Sequence, residues 1–260
     1  MVLGRRFLGE SVKYHFDLFG DGKFVYVYMY KNACSVFKKI VFESFGSPGG
    51  LTPLEALGQR RVTIEAAKKA DVRLFVAREP IGRVVSGFLN QVVTKIDRSY
   101  PEMFDQLEIA AKKPVHEITF RDFVLEYLVK SDWSNVNAHF LPMSESLAPL
   151  YYDAAIDIDC LYESAVVLFG QDFASKYFKK KINSTSESVA DEFANLTDIS
   201  VLDLFHKVKS ERMYPDKMCF IDDEVATVLS KIYAKDIEVY SLVSGGSTFK
   251  SFDNRMHSAS

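Results

Sequence analysis

The chain has 260 residues, 48% of them hydrophobic and 26% charged, with a net charge of −3. That suits one compact α/β domain with a large core, and it counts against a protein that coats nucleic acid or an acidic membrane surface. Cys34, Cys160 and Cys219 are far apart and form no CxxC pair or Cys/His metal spacing, which predicts reduced thiols in a cytoplasmic protein and no bound metal. The apolar start after Arg5 and Arg6 is broken by Gly9, Glu10 and Lys13, so neither a signal peptide nor a membrane span is expected.

In chain order, residues 23–30 (KFVYVYMY) read as a strand buried on both faces. Phe37, Ile40, Val41 and Phe45 follow at helical spacing, and the helix stops at the GSPGG run of 46–50. Residues 52–70 are polar and predicted helical. Residues 72–77 (VRLFVA) give a second buried strand. Pro80 then opens a helix whose stripe runs through Ile81, Val84, Val85, Phe88, Leu89, Val92, Val93 and Ile96. This reading puts Ser86 on the polar side of that helix, near Arg83 and Asn90.

Residues 97–114 form an excursion with helical content. Thr119 is expected to cap a helix reaching about Lys130, with Phe120, Phe123, Val124, Tyr127 and Leu128 inward. A short strand is expected at 155–159, a helix after it, and two more near 198–212 and 222–235. The Gly/Ser-rich tail from Gly245 is expected to be mobile or to fold over a ligand. Alternating strands and helices, with no linker or repeat, predict a three-layer fold with a parallel sheet flanked by helices. Residues 1–260 are read as a single domain, with helical insertions near 46–70 and 97–135 on the acceptor side.

Two strand-to-helix turns carry the chemistry. Lys31-Asn32-Ala33-Cys34-Ser35-Val36-Phe37-Lys38 lies where a strand feeds a helix N-terminus. Amide N–H groups there, the Ser35 hydroxyl and the Lys31 and Lys38 charges would hold a phosphate or sulfate. The segment lacks the GxxxxGK[ST] pattern of nucleotide triphosphatases. The second turn, Arg78-Glu79-Pro80-Ile81-Gly82-Arg83-Val84-Val85-Ser86-Gly87-Phe88, offers Arg78 for bidentate phosphate binding and Ser86 for a further hydrogen bond. A parallel sheet brings both turns to its carboxyl edge. Two anion sites on one edge suit a ligand with two separated phosphate groups.

These segments resemble the Golgi-type carbohydrate sulfotransferase family. Lys-x-Ala-Cys-Ser-x-x-Lys is similar to its 5′-phosphosulfate loop. Arg-Glu-Pro-x-x-Arg-x-x-Ser-x-Phe is similar to its 3′-phosphate motif, with Glu79 in place of Asp. Echoes follow in family order: His139-Phe140-Leu141-Pro142, with Phe140 for Trp; Tyr162-Glu163; and Tyr233-x-x-Asp236-x-x-x-Tyr240. The resemblance covers about residues 24 to 240 and fits a bacterial or viral relative without the Golgi membrane anchor.

The resemblance implies a P-loop-like sulfotransferase fold. Its donor would be 3′-phosphoadenosine-5′-phosphosulfate (PAPS), its product 3′-phosphoadenosine-5′-phosphate (PAP), and its acceptor a hydroxyl on a carbohydrate or other small metabolite. It implies no metal. Lys31 would stabilise the leaving phosphate, residues 32–38 would hold the 5′-phosphate, and Arg78 and Ser86 would bind the 3′-phosphate. His139 is the first choice of general base, with Glu55, Glu65 and His116 as alternatives. Two other readings stay open here: a P-loop-like kinase or nucleotide-binding protein, and a PAP-binding protein without catalysis. The sequence assigns no particular acceptor and no oligomeric state.

Overall fold

The structure is a computed structural model that describes residues 14–20, 22–44, 61–97, 101–179, 195–211 and 213–255. The strands in chain order are β1 (Phe16–Phe19), β2 (Phe24–Val27), β3 (Arg61–Val62), β4 (Val72–Ala77), β5 (Tyr151–Asp157) and β6 (Lys250–Asp253). The helices are α1 (Cys34–Ser44), α2 (Ile64–Lys68), α3 (Pro80–Gln91), α4 (Pro101–Ala111), α5 (Phe120–Asp122, continued as a π-helix over Phe123–Leu128), α6 (Leu161–Phe169), α7 (Gln171–Tyr177), α8 (Val201–Glu211), α9 (Asp223–Ile232) and α10 (Ala234–Val243). The chain forms two compact units. One holds residues 1–78, 143–182 and 239–260, the other 79–142 and 183–238.

The first unit contains one sheet, ordered β3-β1-β2-β4-β5-β6. Its centre is parallel, β2 beside β4 and β4 beside β5. β1, β3 and β6 add antiparallel pairs at the two edges, so the expected parallel sheet is the core of a mixed one. Side chains alternate across the sheet. Tyr26, Leu74, Val76, Ala154 and Ile156 face Phe37, Ile40 and Val41 of α1 and Ala165 and Ala174 of α6 and α7. Val25, Val27, Phe75, Ala77 and Ala155 face Ala67, Met143, Leu147, Val239 and Val243. Both faces are therefore dry, as continuous apolar runs require. Arg73, the charge inside the β4 run, is half-buried and donates to Asp153 of β5 from its backbone N–H (2.8 Å) and its Nε (2.9 Å).

The tail after Gly245, expected to be mobile or to cover a ligand, contributes β6, and Asn254 anchors it by donating to the carbonyls of Leu147 (3.0 Å) and Ala148 (2.9 Å). Of the predicted helix at 52–70, residues 52–60 lie outside the described residues, Arg61–Val62 is instead strand β3, and only Ile64–Lys68 is helical, as α2 capped by Thr63.

The second unit is helical around an aromatic core. Phe88, Phe120, Phe123, Phe140, Phe220 and Tyr127 are all buried. Thr119 caps α5 as expected and forms a capping box with Asp122, and the inward side chains of α5 are those its periodicity predicts. Gly87 of α3 lies against the Phe140 ring: a Cβ at this position would come within 2.8 Å of it. A glycine is needed there for the ring to reach the helix.

Candidate active site

The first turn follows β2 directly. Between Tyr30 and α1 the backbone passes through two left-handed residues, Lys31 (φ 68°) and Ala33 (φ 60°). Neither is glycine, so each conformation costs about 1–2 kcal/mol and persists only because something fixes it. That anchor is Asn32. It is fully buried, and its Nδ2 donates to the Val76 carbonyl of β4 (2.7 Å) and to the Met143 sulfur (3.1 Å). Its own carbonyl accepts from the Tyr26 hydroxyl at 2.6 Å.

With Asn32 fixed to the neighbouring strand, φ alternates in sign along the turn. This is the backbone form in which successive N–H groups converge on an anion. α1 begins at Cys34. The Val36 and Phe37 amides bond to the Ala33 carbonyl at 3.0 and 3.3 Å. The Cys34 and Ser35 amides have no carbonyl four residues back within the helix. The first turn of α1 holds no acidic residue, so nothing in it offsets the positive end of the helix dipole. Lys38 lies over the Tyr28 and Tyr30 rings, 5.1 and 5.9 Å from their centroids.

Arg78 directly follows β4, the parallel neighbour of β2. It is half-buried, and its Nη1 donates to the Lys31 carbonyl at 3.1 Å. The structure thus brings Arg78 against the left-handed Lys31, joining two segments that lie about 45 residues apart in sequence. Lys31, Cys34, Ser35, Lys38 and Arg78 occupy one edge of the first unit. Of the other residues assigned to donor binding, Asn32, Val36 and Phe37 are buried. Phe37 stacks on Tyr26 with centroids 3.9 Å apart. These three shape the turn from beneath.

One ionisable group here escaped the sequence reading. Asp17 of β1 is 1% exposed, and neither carboxylate oxygen has a hydrogen-bond partner. Burial pushes its pKa up to about 7, against the pull of Arg61 and Lys38. The available signal was an acid inside the otherwise apolar strand FDLF.

The remaining candidates belong to the second unit. Ser86 is buried at 1% exposure and Arg83 at 2%, so the supposed polar side of α3 is covered. The cover is specific: Arg83 Nη2 donates to the Leu141 carbonyl (2.7 Å) and lies 3.5 Å from Asp236 Oδ2. Glu79 caps α3 by accepting from the Ile81 and Gly82 amides. It leaves no room at Gly82, where a Cβ would sit 2.8 Å from its Oε2.

His139 is half-buried. The Oδ1 of Asn137 accepts from the His139 backbone N–H (3.0 Å) and lies 2.8 Å from the His139 Nδ1. Because that atom already accepts from an amide it is an oxygen, so Nδ1 carries the proton. In the neutral ring the basic lone pair is then on Nε2. His116 is exposed on a short 3-10 turn, with Nε2 3.6 Å from Glu117. Glu65 is exposed in the first turn of α2. Glu55 lies outside the described residues.

The weaker sequence echoes acquire reasons. Tyr233 donates its hydroxyl to the Phe140 carbonyl at 2.6 Å. The Tyr162 hydroxyl is held by Gln171 and Ser175, which lower its pKa. Glu163, its neighbour in that echo, is exposed. Among the described residues no group of three or more His, Cys, Asp or Glu side chains could hold a metal ion, and no helix is long and apolar enough to cross a membrane.

The geometry is thus a strained amide turn at a helix start, braced by the arginine that follows the next parallel strand. The chain matches the sulfotransferase family over residues 14–242, and it belongs to that family. No curated protein and no solved structure matches it.

Proposed function

We propose that this chain transfers the sulfuryl group of PAPS to an acceptor hydroxyl, on a carbohydrate or other small metabolite, by in-line displacement. The observation that carries the reading is the Arg78–Lys31 contact at 3.1 Å, which joins two cationic turns at the ends of adjacent parallel strands. A donor with separate 5′ and 3′ phosphates suits that pair better than a simple nucleotide. Family membership favours sulfuryl transfer over the kinase reading. PAPS supplies an activated sulfuryl group with PAP as its leaving group.

The residues divide the work by chemistry. The Cys34 and Ser35 amides and the Ser35 hydroxyl receive the 5′-phosphate, with Lys38 adding charge. Lys31 neutralises the charge that develops on the leaving phosphate, an electrostatic role that dominates such transfers. Arg78 takes the 3′-phosphate through its guanidinium fork, and the sequence motif assigns Ser86 to the same group. His139 Nε2 accepts the proton of the acceptor hydroxyl. On this reading residues 1–260 are a single sulfotransferase domain that works in the cytoplasm without a metal.

Calorimetric titration with PAP and with adenosine 5′-phosphate tests the donor site. PAP is expected to bind at least tenfold more tightly than the monophosphate. Arg78→Ala should remove that preference, while Lys31→Ala should weaken both ligands together. Equal binding of the two nucleotides to wild type would sink the proposal.

A further inference from the structure

Resting on the reading of His139 as the base, we propose that Arg83, Tyr233 and Asp236 form a positioning bracket that fixes residues 139–142 and so aims the His139 imidazole. None of the three is assigned to substrate. Their contacts converge on the backbone next to His139. The Tyr233 hydroxyl donates to the Phe140 carbonyl at 2.6 Å, and Arg83 Nη2 donates to the Leu141 carbonyl at 2.7 Å. The consecutive carbonyls of one non-helical segment are thus each met by a side chain from elsewhere. The Phe140 ring fills the space left by Gly87. With the backbone held on its C-terminal side, His139 keeps only its side-chain torsions, and Asn137 restrains those through Nδ1.

Stability alone does not account for the chemistry chosen. Arg83 and Asp236 are 2% and 0% exposed, and their ion pair is long at 3.5 Å. Arg83 Nε is buried without a hydrogen-bond partner. Burying a charge pair this way costs more than packing apolar side chains of the same volume, and such pairs are best explained where they fix one geometry. The Arg83 guanidinium also lies 5.8 Å from the centroid of the Tyr233 ring, so the two donors brace each other. Burial pushes the Tyr233 phenol well above its ordinary pKa, which keeps it a proton donor throughout the working range.

The test compares wild type with Tyr233→Phe, which removes one hydroxyl and keeps the ring. Three readouts are taken: PAP affinity, release of PAP from PAPS with water as acceptor, and the proton NMR titration of His139, assigned through His139→Gln. PAP affinity is expected to stay within about twofold, PAP release to fall roughly 10- to 100-fold as orientation is lost, and the His139 titration midpoint to shift. Asp236→Asn should give the same pattern and serves if Tyr233→Phe does not fold. A lower melting temperature with an unchanged rate and an unchanged His139 titration would overturn the bracket. If the His139 titration shifts but wild type releases no PAP from PAPS, the bracket stands and the sulfuryl-transfer reading falls.

Discussion

The turn after β2 and the turn after β4 both feed a helix, yet they treat the helix N-terminus in opposite ways. After β2 the backbone is strained at Lys31 and Ala33, α1 starts without an acid, and the Cys34 and Ser35 amides have no carbonyl four residues back within the helix. After β4 the chain supplies its own anion, because Glu79 occupies the Ile81 and Gly82 amides. The first turn offers backbone; the second has spent its backbone and offers the Arg78 side chain. Amides without side chains recognise any tetrahedral anion, whereas a guanidinium fork selects by geometry. On the proposed reading, the first turn would hold the group common to all adenylates and the second would discriminate.

The largest expected effect breaks the first turn at its charge. Lys31→Ala and Lys31→Gly should each lower the rate of PAP release from PAPS roughly 10²–10³-fold, the range for removing one group that meets developing charge. The two should differ in stability, since glycine accepts a φ of 68° and alanine does not. Lys31→Gly should be the more stable by about 1 kcal/mol in chemical denaturation. Equal rates in wild type and both variants would show that Lys31 only shapes the turn.

Asp17 sharpens the comparison from beneath the first turn. Its folded pKa of about 7 lies above its ordinary value of 3.8. The native state therefore holds a proton that the unfolded chain releases between those values. Stability is present below about pH 4, is lost as pH rises towards 7, and stays lost above it. Asp17→Asn keeps a neutral polar group and removes the titration. It should match wild type near pH 4 and exceed it at pH 8 by several kcal/mol, on the order given by the shift. Thermal melts at the two pH values decide it, and an equal effect at both would mean that Asp17 is charged throughout.

What the sequence made legible follows from how each element is stabilised. β4 and α3 are long enough to show their period, and both were read with close boundaries. β1, β3 and β6 have four, two and four residues. They exist through pairing with neighbours, so no local pattern announces them. The strand 23–30 read too long because nothing about Lys31 or Ala33 signals a left-handed residue. The cause is Asn32 reaching Val76 on another strand, a contact that no window can contain. Arg83 was read as polar surface for the same reason: its burial depends on Leu141 and Asp236, distant in the chain. The two strand-to-helix turns were legible because a strand end and a helix start show in local sequence, whereas the bracket proposed around His139 is entirely tertiary.

Glu79 tests the second turn. Glu79→Ala should cost about 1 kcal/mol as the cap is lost. If Arg78 alone reads the 3′-phosphate, the preference for PAP over adenosine 5′-phosphate should survive. Loss of that preference would assign the discrimination to the helix start.

The smallest effect returns to the first turn. Ala33 has a φ of 60° just before α1, and its carbonyl accepts from Val36 and Phe37. Glycine adopts that conformation without the Cβ penalty but has more freedom to lose on folding. The two effects oppose, and relief of strain is the larger. Ala33→Gly should therefore gain about 0.5–1 kcal/mol in chemical denaturation with PAP affinity unchanged. A gain in stability with a matching loss of PAP affinity would mean that the strain at Ala33 is what keeps the Cys34 and Ser35 amides turned towards the ligand.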